Sequence, residues 1–361
     1  MFKSAKLGFY STFDAMHSKD EYYMRRALQL ALKGKFSVAP NPRVGCVIVH
    51  KNEIIGEGFH QKFGGAHAEV NAIQSVTDQS LLKDSTLYVS LEPCAHYGKT
   101  PPCSLLIIEK EIKKVVIASV DSFAAVNGKG IKMLKEAGVE VITEVLKAES
   151  DWMNRRFFTF HEKKRPYIIL KWAETADGFI GRLPSDAMAH DSWISSAQSK
   201  QLVHLWRAEE SAIMVGKNTA FIDNPKLDCR EVMGHNPLRI VIDKNLELPS
   251  DLNLFDQSTP TLIFNSKQNK NEQNLEYCKL DFNDQLLSSI LNDLHKRDIQ
   301  SLIVEGGAYL LNQFIEKNIW DEARQFIGAK TFGKGIKAPK MNLSPIKNQK
   351  IGTDNLNYYY Q

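Results

Sequence analysis

The chain has 361 residues, of which 46 are basic and 42 acidic, and this length fits two domains of ordinary size. The formal net charge is only +4 and the opposite charges are well mixed, which argues against a nucleic-acid-binding protein with a basic stripe. No stretch reaches the ~18 consecutive apolar residues of a membrane span, and the N-terminus lacks the apolar core of a signal peptide, so we expect a cytoplasmic protein without a membrane partner.

The first half of the chain alternates predicted strands and helices. Residues 1–19 precede the first recognisable element and are interpreted as an extension. The predicted elements that follow are a helix at 20–31, strands at 44–49, 53–58, 86–90, 114–120 and 139–143, and a helix at 130–136. This alternation predicts an α/β sandwich.

Three potential zinc ligands lie in this half. His67 belongs to a His-Ala-Glu run, and Cys94 and Cys103 each follow a proline. A catalytic zinc ion takes three protein ligands and leaves one position for water, and neutral imidazole with two thiolates suits Zn²⁺. The carboxylate of Glu69 is not a ligand in this arrangement and would carry protons between that water and the leaving group. The pattern predicts a zinc-dependent hydrolytic deaminase.

The spacing requires His67 and Glu69 to lie at the N-terminal edge of a helix, because residues two apart project from nearly opposite sides of a helix interior. The helix-forming run 68–76 permits this arrangement. Cys103 follows two prolines and opens an apolar run at 105–108, so a second helix N-terminus would point its partial positive charge at the thiolates. Both helix ends are expected to converge on the metal.

Other interpretations of the cysteines remain. Three cysteines lie outside this motif: Cys46, Cys229 and Cys278. Because they form an odd set without framework spacing, we predict no disulfides, a reducing compartment and structural thiols. The alternative for Cys94 and Cys103 is that they too are ordinary buried thiols. A purely structural zinc site would leave Glu69 without a role. It would also need a fourth protein ligand, for which His96 is the candidate.

The chain between the two halves is highly charged but also aromatic, so we predict a packed helical linker at 151–165. A strand at 167–172 opens the second half. A later strand, 301–304, leads through Gly306-Gly307 into a helical run at 309–316. Backbone amides at such a turn can bind a phosphate, although a plain tight connection is the alternative. No G-x-G-x-x-G follows a strand, which argues against a Rossmann dinucleotide site.

Two segments resemble the deaminase half of the bifunctional riboflavin-biosynthesis deaminase/reductase family: the loop Cys94-Ala95-His96-Tyr97-Gly98-Lys99-Thr100-Pro101-Pro102-Cys103 and the run Ala39-Pro40-Asn41-Pro42-Arg43-Val44-Gly45. The likeness covers about residues 20–144. It implies a cytidine-deaminase-like α/β/α sandwich whose substrate is a diamino-pyrimidinone carrying a ribosylamino 5′-phosphate. It also implies that three residues help to hold this substrate: Asn41, His96 and Lys99. In nucleoside and tRNA deaminases the two cysteine ligands are instead spaced as Cys-x-x-Cys. A deaminase of that kind fused to an unrelated module is the main alternative function.

The second half resembles the reductase half of the same family over about residues 166–361. This resemblance implies a dihydrofolate-reductase-like α/β domain in which NADPH reduces the ring-opened ribosyl carbon to give a ribityl chain. The residues implied to face NADPH are Ala173, Trp193, Thr219, Asp223, Gly307, Ala308, Tyr309, Leu310, Leu311, Asn312 and Gln313. The residues implied to face the substrate are Asp191, Arg207, Leu227, Arg230 and Glu305.

Physical chemistry supports part of this assignment. Arg207 and Arg230 can bind a phosphate monoester through bidentate hydrogen bonds, their alternative being solvated surface arginines. Asp191 stands where the family usually has Ser, and an acidic group beside an anionic substrate is unfavourable. Either Ser192 takes over that role, or Asp191 binds a ribose hydroxyl. A half that has become an inactive scaffold is a further alternative, for which Asp191 is the only indication.

The sequence therefore predicts four segments: an extension at 1–19, a zinc deaminase domain at 20–150, a helical linker at 151–165 and an NADPH-dependent reductase domain at 166–361. Zn²⁺ and NADPH are the expected cofactors. The expected partner is a small phosphorylated pyrimidine rather than a nucleic acid, and a homo-oligomer is left open. Proton delivery during the reduction falls to Lys171 or Glu305, between which the sequence does not choose.

Overall fold

The computed structural model describes residues 19–97, 101–122, 127–183, 185–186 and 193–361. The described chain forms two compact units. The first comprises the residues up to Gly34 and those from Arg43 to Met153, and the second comprises Lys35–Pro42 and Asn154–Gln361. The functional boundaries near residues 150 and 165 stay a prediction, and the proposed extension lies, apart from Lys19, outside the described residues.

The first unit contains five helices and five strands within its described residues. The helices are α1 (Lys19–Ala31), α2 (Ala68–Ser75), α3 (Cys103–Glu109), α4 (Lys129–Glu136) and α5 (Lys147–Met153). The strands are β1 (Gly45–His50), β2 (Glu53–Phe59), β3 (Thr86–Leu91), β4 (Lys114–Ser119) and β5 (Glu140–Ile142). They form one sheet in the order β2-β1-β3-β4-β5, in which β1 runs antiparallel to its neighbours and β3, β4 and β5 are parallel.

Both faces of the three central strands, β1, β3 and β4, are buried, which explains their continuous apolar runs. Along β1, Cys46 and Ile48 pack on the face covered by α2, α3 and α4, whereas Val47 and Val49 pack on the face covered by α1 and α5. Gly58 of β2 allows α2 to lie directly on the sheet, since a Cβ there would come within 2.3 Å of a backbone nitrogen of that helix. The predicted α/β sandwich is confirmed as three layers, with the sheet in the middle.

The second unit contains five helices and twelve strands within its described residues. The helices are α6 (Arg155–Lys163), α7 (Ala197–Glu209), α8 (Lys217–Asp223), α9 (Leu286–Lys296) and α10 (Ala308–Glu316). The strands are β6 (Tyr167–Glu174), β7 (Phe179–Gly181), β8 (Ala212–Gly216), β9 (Leu238–Ile242), β10 (Thr261–Asn265), β11 (Lys270–Asn271), β12 (Leu275–Lys279), β13 (Ser301–Glu305), β14 (Glu322–Ile327), β15 (Ile336–Lys337), β16 (Lys347–Ile351) and β17 (Asp354–Tyr360).

Ten of these strands form a mixed sheet in the order β11-β12-β10-β9-β8-β13-β6-β14-β17-β16. The seven strands from β12 to β14 in that order are parallel, and antiparallel strands close both edges. Helices α9 and α10 cover one face of the sheet, while α7 and α8 cover the other. The carboxyl ends of the parallel strands therefore meet at one edge, where open α/β sheets bind ligands. The α/β expectation for this half is confirmed.

The chain between Lys147 and Lys163 is helical in two pieces, α5 and α6, separated at Asn154. Phe157 and Phe160 of α6 are buried, and the Arg156 guanidinium pairs with the buried carboxylate of Glu210. These contacts agree with the aromatic and charged composition of the segment. None of the helices in the described ranges combines the length and the apolar character needed to cross a bilayer.

Candidate active sites

His67, Cys94 and Cys103 come together in the first unit. The Nδ1 atom of His67 lies 3.6 Å from Sγ of Cys94 and 3.4 Å from Sγ of Cys103. The three potential ligand atoms all lie within 4.8 Å of one another, and no other metal-ligating cluster occurs in the part of the chain that the structure describes. One nitrogen and two sulfur atoms at this spacing can surround a single tetrahedral cation.

Two helix N-termini bring these side chains together. His67 is the N-cap residue of α2, and Cys103 is the first residue of α3, whose N-cap is Pro102. The backbone N–H of Cys103 donates to Sγ of Cys94 at 3.2 Å, so the positive end of α3 faces that sulfur. The convergence of both helix ends follows the arrangement that the sequence predicts.

The pKa values of these three side chains depend on one another through the hydrogen bonds between them. The Cys103 thiol donates to Cys94 and, with His67, lowers the pKa of Cys94 to about 4 despite burial. The same hydrogen bond raises the pKa of the Cys103 thiol above its usual value, and the hydrogen bond to Cys94 raises the pKa of His67 to about 9. A bound cation would displace the ligand protons, because thiolate and neutral imidazole are the forms that bind metals.

Glu69 lies in the first turn of α2 and is only 3% exposed. Burial raises the pKa of this carboxyl to about 7, with the Cys94 thiolate adding to the rise and His67 opposing it. The side chain also forms a hydrogen bond with Cys103. The carboxyl is therefore held beside the cluster in a setting where it can both accept and give a proton.

The other residues predicted for the deaminase substrate fall in different places. Asn41 belongs to the segment Lys35–Pro42, which packs with the second unit, where Gln300 Nε2 donates to the carbonyl of Pro40. His96 is exposed and is not part of the three-residue cluster, which disfavours it as a fourth ligand. Lys99 lies outside the described residues.

A second constellation lies at the carboxyl edge of the parallel strands in the second unit. β8 ends at Gly216, the N-cap of α8, and the neighbouring β13 leads through Gly306 to Gly307, the N-cap of α10. The Gly307 N–H donates to Thr219 Oγ1 at 2.9 Å, which joins the two turns. Neither helix N-terminus has a side-chain cap, so backbone amides are available there for an anion.

The residues implied to face NADPH differ in how far their side chains are exposed to solvent. Trp193 and Tyr309 are 59% and 80% exposed, which is unusual for aromatic rings of this size. Leu310 and Leu311 are buried in the core, so their side chains cannot reach a ligand. The remaining members are Ala173 at the end of β6, Asp223 at the end of α8, and Ala308, Asn312 and Gln313 in α10.

A buried charge cluster directly precedes the Gly307 turn, because its central residue, Glu305, ends β13. Arg207 Nη2 donates to Glu305 Oε2 at 2.9 Å, and Lys171 Nζ lies 3.8 Å from the same oxygen. Burial alone would raise the pKa of Glu305, but the two cations outweigh it and lower this pKa to about 2. Within the described chain, Arg207 Nε and Glu305 Oε1 have no hydrogen-bond partner, so the cluster has capacity for further polar groups.

The other implied substrate residues lie close to Arg207, or outside the described chain. Arg207 Nη1 donates to the carbonyl of Asp228 at 3.2 Å, and the Asp228 carboxylate pairs with Arg230. Leu227 is buried and has a positive φ of 52°, so its side chain packs in the core. Asp191 lies outside the described residues.

Sequence reasoning missed two histidines beside these sites. His60 is buried, its Nδ1 lies 2.9 Å from the carbonyl of Ala66, and its ring centroid is 5.6 Å from that of His67. His204 is buried three residues before Arg207 in α7, and burial together with Arg207 lowers its pKa. The spacing of three, which places two residues on one helix face, is the signal that could have identified His204. His60 carried no comparable signal.

Comparison with known proteins assigns a family to each half. Residues 17–119 match the family described as the cytidine and deoxycytidylate deaminase zinc-binding region, and residues 166–356 match the RibD C-terminal domain. The riboflavin biosynthesis protein RibD of Aquifex aeolicus is 38% identical over 336 residues, which is 91% of this chain and 92% of that protein. That of Actinobacillus pleuropneumoniae is 39% identical, covering 91% of this chain and 88% of its own.

Solved structures agree over almost the whole chain. The diaminohydroxyphosphoribosylaminopyrimidine deaminase/5-amino-6-(5-phosphoribosylamino)uracil reductase of Thermotoga maritima superimposes with a TM-score of 0.84 at 36% identity, covering 94% of this chain and 98% of that one. The RibD protein of Acinetobacter baumannii gives a TM-score of 0.83 at 29% identity, with coverage of 95% and 98%. With a deaminase half, a reductase half and relatives that span both, this chain belongs to the RibD family of bifunctional riboflavin-pathway deaminase/reductases.

Proposed function

We propose that the first unit removes the 2-amino group of a diamino-pyrimidinone ribosylamino 5′-phosphate and that the second unit then reduces the ribosyl chain with NADPH. The observation that carries the proposal is the cluster of His67, Cys94 and Cys103 with the buried carboxyl of Glu69 beside it. The name of the Thermotoga maritima protein gives a deaminase of a diaminohydroxyphosphoribosylaminopyrimidine and a reductase of a phosphoribosylaminouracil, which supports the order of the two steps. Separate assays of ammonia release and NADPH oxidation test the two halves of the proposal.

The donor set fits zinc. His67 Nδ1 and the two cysteine sulfurs are the three protein ligands of a catalytic site with an open fourth position, whereas a structural site would need a fourth ligand. A zinc ion held there would supply a Lewis acid that makes water nucleophilic near neutral pH. Glu69 would take a proton from the water as its oxygen adds to the ring carbon and would pass it to the amino nitrogen. The C–N bond would then break, so that ammonia leaves and the C–O bond remains.

Removing the metal should separate the two activities. We expect a chelator that strips zinc to abolish ammonia release while leaving NADPH oxidation with the pre-deaminated substrate unchanged, because the candidate ligands all belong to the first unit. Ammonia release and zinc content would be measured on the same samples before and after zinc is restored. Loss of both activities, with neither restored by zinc, would contradict separate sites.

The second unit fits a phosphorylated dinucleotide. The turns at Gly216 and Gly307 present uncapped helix N-termini at the carboxyl edge of parallel strands, with the exposed ring of Tyr309 beside them. NADPH bound there would supply the hydride for the ribosyl carbon. Arg207 would hold the substrate phosphate, while the contact between Lys171 and Glu305 would keep both groups in place beside the reacting chain.

The Thr219 hydroxyl should support cofactor binding. We expect Thr219→Val to raise the KM for NADPH about 5- to 10-fold, which corresponds to ~1 kcal/mol, because the Gly307 N–H loses its acceptor and the turn loosens. Thr219→Ser retains the hydroxyl and is the matched control. Steady-state NADPH oxidation with pre-deaminated substrate measures both variants. An unchanged KM in the Val variant would show that this hydrogen bond has no part in cofactor binding.

A further inference from the structure

One buried carboxylate accepts hydrogen bonds from four backbone N–H groups next to the metal cluster. Glu92 is 4% exposed and lies two residues before Cys94, just beyond the end of β3. Its Oε2 accepts from the N–H of Asp121 at 3.2 Å and of Gly128 at 2.9 Å. Its Oε1 accepts from the N–H of Gly130 at 2.9 Å and of Ile131 at 3.2 Å. All four donors come from the chain that follows β4, so this side chain ties the end of β3 to the start of α4.

The same short segment is held from two further directions. The hydroxyl of Ser104, fully buried in α3, donates to the carbonyl of Pro93 at 3.2 Å and to that of Cys94 at 3.0 Å. Gly130 lies against the Pro93 carbonyl so closely that a Cβ at this glycine would stand 2.0 Å from the oxygen. Helix α4 can approach Pro93 only because this position lacks a side chain.

Cys94 itself lies in neither a helix nor a strand, since β3 ends at Leu91 and α3 begins at Cys103. Its backbone therefore has no ladder of main-chain hydrogen bonds to fix it. A metal ligand must nevertheless be held within ~0.5 Å of its working position. The Cys94 carbonyl accepts from the Ser104 backbone N–H and its sulfur accepts from the Cys103 N–H. The Glu92 carboxylate, the Ser104 hydroxyl and Gly130 constrain the residues on its N-terminal side as well.

We propose that Glu92 is a positioning residue for the deaminase reaction, which binds the N-terminal amides of α4 and thereby holds Cys94 where it can ligate the metal together with His67 and Cys103. The inference rests on the proposed zinc-dependent deamination. Glu92 acts through Cys94 and is not a metal ligand, because its carboxylate oxygens are already engaged by backbone amides. Groups that orient ligands in this way typically change metal affinity 10- to 100-fold when they are lost.

The test compares Glu92→Gln, Glu92→Ala and Ser104→Ala with wild-type full-length protein. Glu109→Gln is the matched control, because it changes an exposed carboxylate at the end of α3. Zinc affinity is measured by competition with a chromogenic chelator, and the cobalt-loaded proteins are compared by their thiolate-to-cobalt and d–d absorption bands. NADPH oxidation with pre-deaminated substrate reports whether the second unit of each variant is folded.

We expect zinc affinity to fall about 10-fold in Glu92→Gln, in which an NH₂ group faces two of the four N–H donors, and up to about 100-fold in Glu92→Ala. The cobalt bands should shift in both variants and in Ser104→Ala, while Glu109→Gln matches wild type. If Glu92→Ala fails to fold, Glu92→Gln and Ser104→Ala decide the matter.

A lower melting temperature with unchanged zinc affinity and unchanged cobalt bands in Glu92→Gln and Ser104→Ala would overturn the proposal, since that result describes a purely structural carboxylate. Failure of the proposed function would look different. In that case the wild-type protein itself would bind no stoichiometric zinc, or it would release no ammonia when loaded.

Discussion

Glu69→Gln should abolish ammonia release and leave the reductase half working. Glutamine has nearly the same size as glutamate but cannot accept and return a proton, and the buried position of Glu69 excludes bulk water as a replacement. Positioned acid–base groups contribute about 10²- to 10⁴-fold to rate, so a loss of that size in kcat for ammonia release is expected. The measurement is ammonia release by the zinc-loaded variant, with zinc content determined on the same sample.

Two controls accompany this substitution. Glu109→Gln, at an exposed carboxylate of the same unit, should retain ammonia release within a factor of two or so of wild type. NADPH oxidation with pre-deaminated substrate should be unchanged in both variants, because the reductase residues belong to the second unit. A Glu69→Gln variant that binds zinc and still releases ammonia at the wild-type rate would remove Glu69 from the mechanism.

Glu305→Gln should have the converse effect. The Glu305 carboxylate lies between Arg207 and Lys171 in a buried cluster, and removing its charge leaves two cations uncompensated. Breaking a buried pair in this way typically costs ~3–5 kcal/mol of folding stability. We expect kcat/KM for reduction to fall about 10²-fold, because Arg207 and Lys171 lose the carboxylate that holds them in place. Steady-state NADPH oxidation with pre-deaminated substrate measures this loss, and ammonia release should be unaffected.

The control for this variant is Glu316→Gln, which changes an exposed carboxylate at the end of α10. Thermal melting of both variants separates a loss of reduction from a loss of fold. If Glu305→Gln is folded and retains kcat/KM within a few-fold of wild type, the buried charge cluster has no role in the reduction and serves stability alone.

The sequence was informative wherever the chemistry depends on local geometry. A His-x-Glu run can share one metal only at a helix N-terminus, and α2 begins directly after His67. Prolines before Cys103 predicted a second helix start, and α3 begins at that residue. The buried strands were recognisable from continuous apolar runs for the same reason, since a strand covered on both faces has no polar side.

Contacts between distant segments could not be predicted in this way. Glu92 meets amides 29 to 39 residues further along the chain, and Arg207 meets Glu305 across 98 residues. The periodicity and spacing of residues along the chain do not indicate which distant segment a loop will contact in the fold. For the same reason, the sequence could not predict that residues 35–42, which precede the first strand, pack with the second unit.

The most direct test of the central claim follows ammonia release and NADPH oxidation together in one reaction of zinc-loaded protein with the diamino-pyrimidinone ribosylamino 5′-phosphate. We predict that ammonia appears first and that NADPH falls after a lag, one equivalent for each ammonia, because the deaminated pyrimidine is the substrate of the reductase half. NADPH oxidation without ammonia release, or ammonia release that is never followed by NADPH oxidation, would contradict the assignment of these two reactions to this chain.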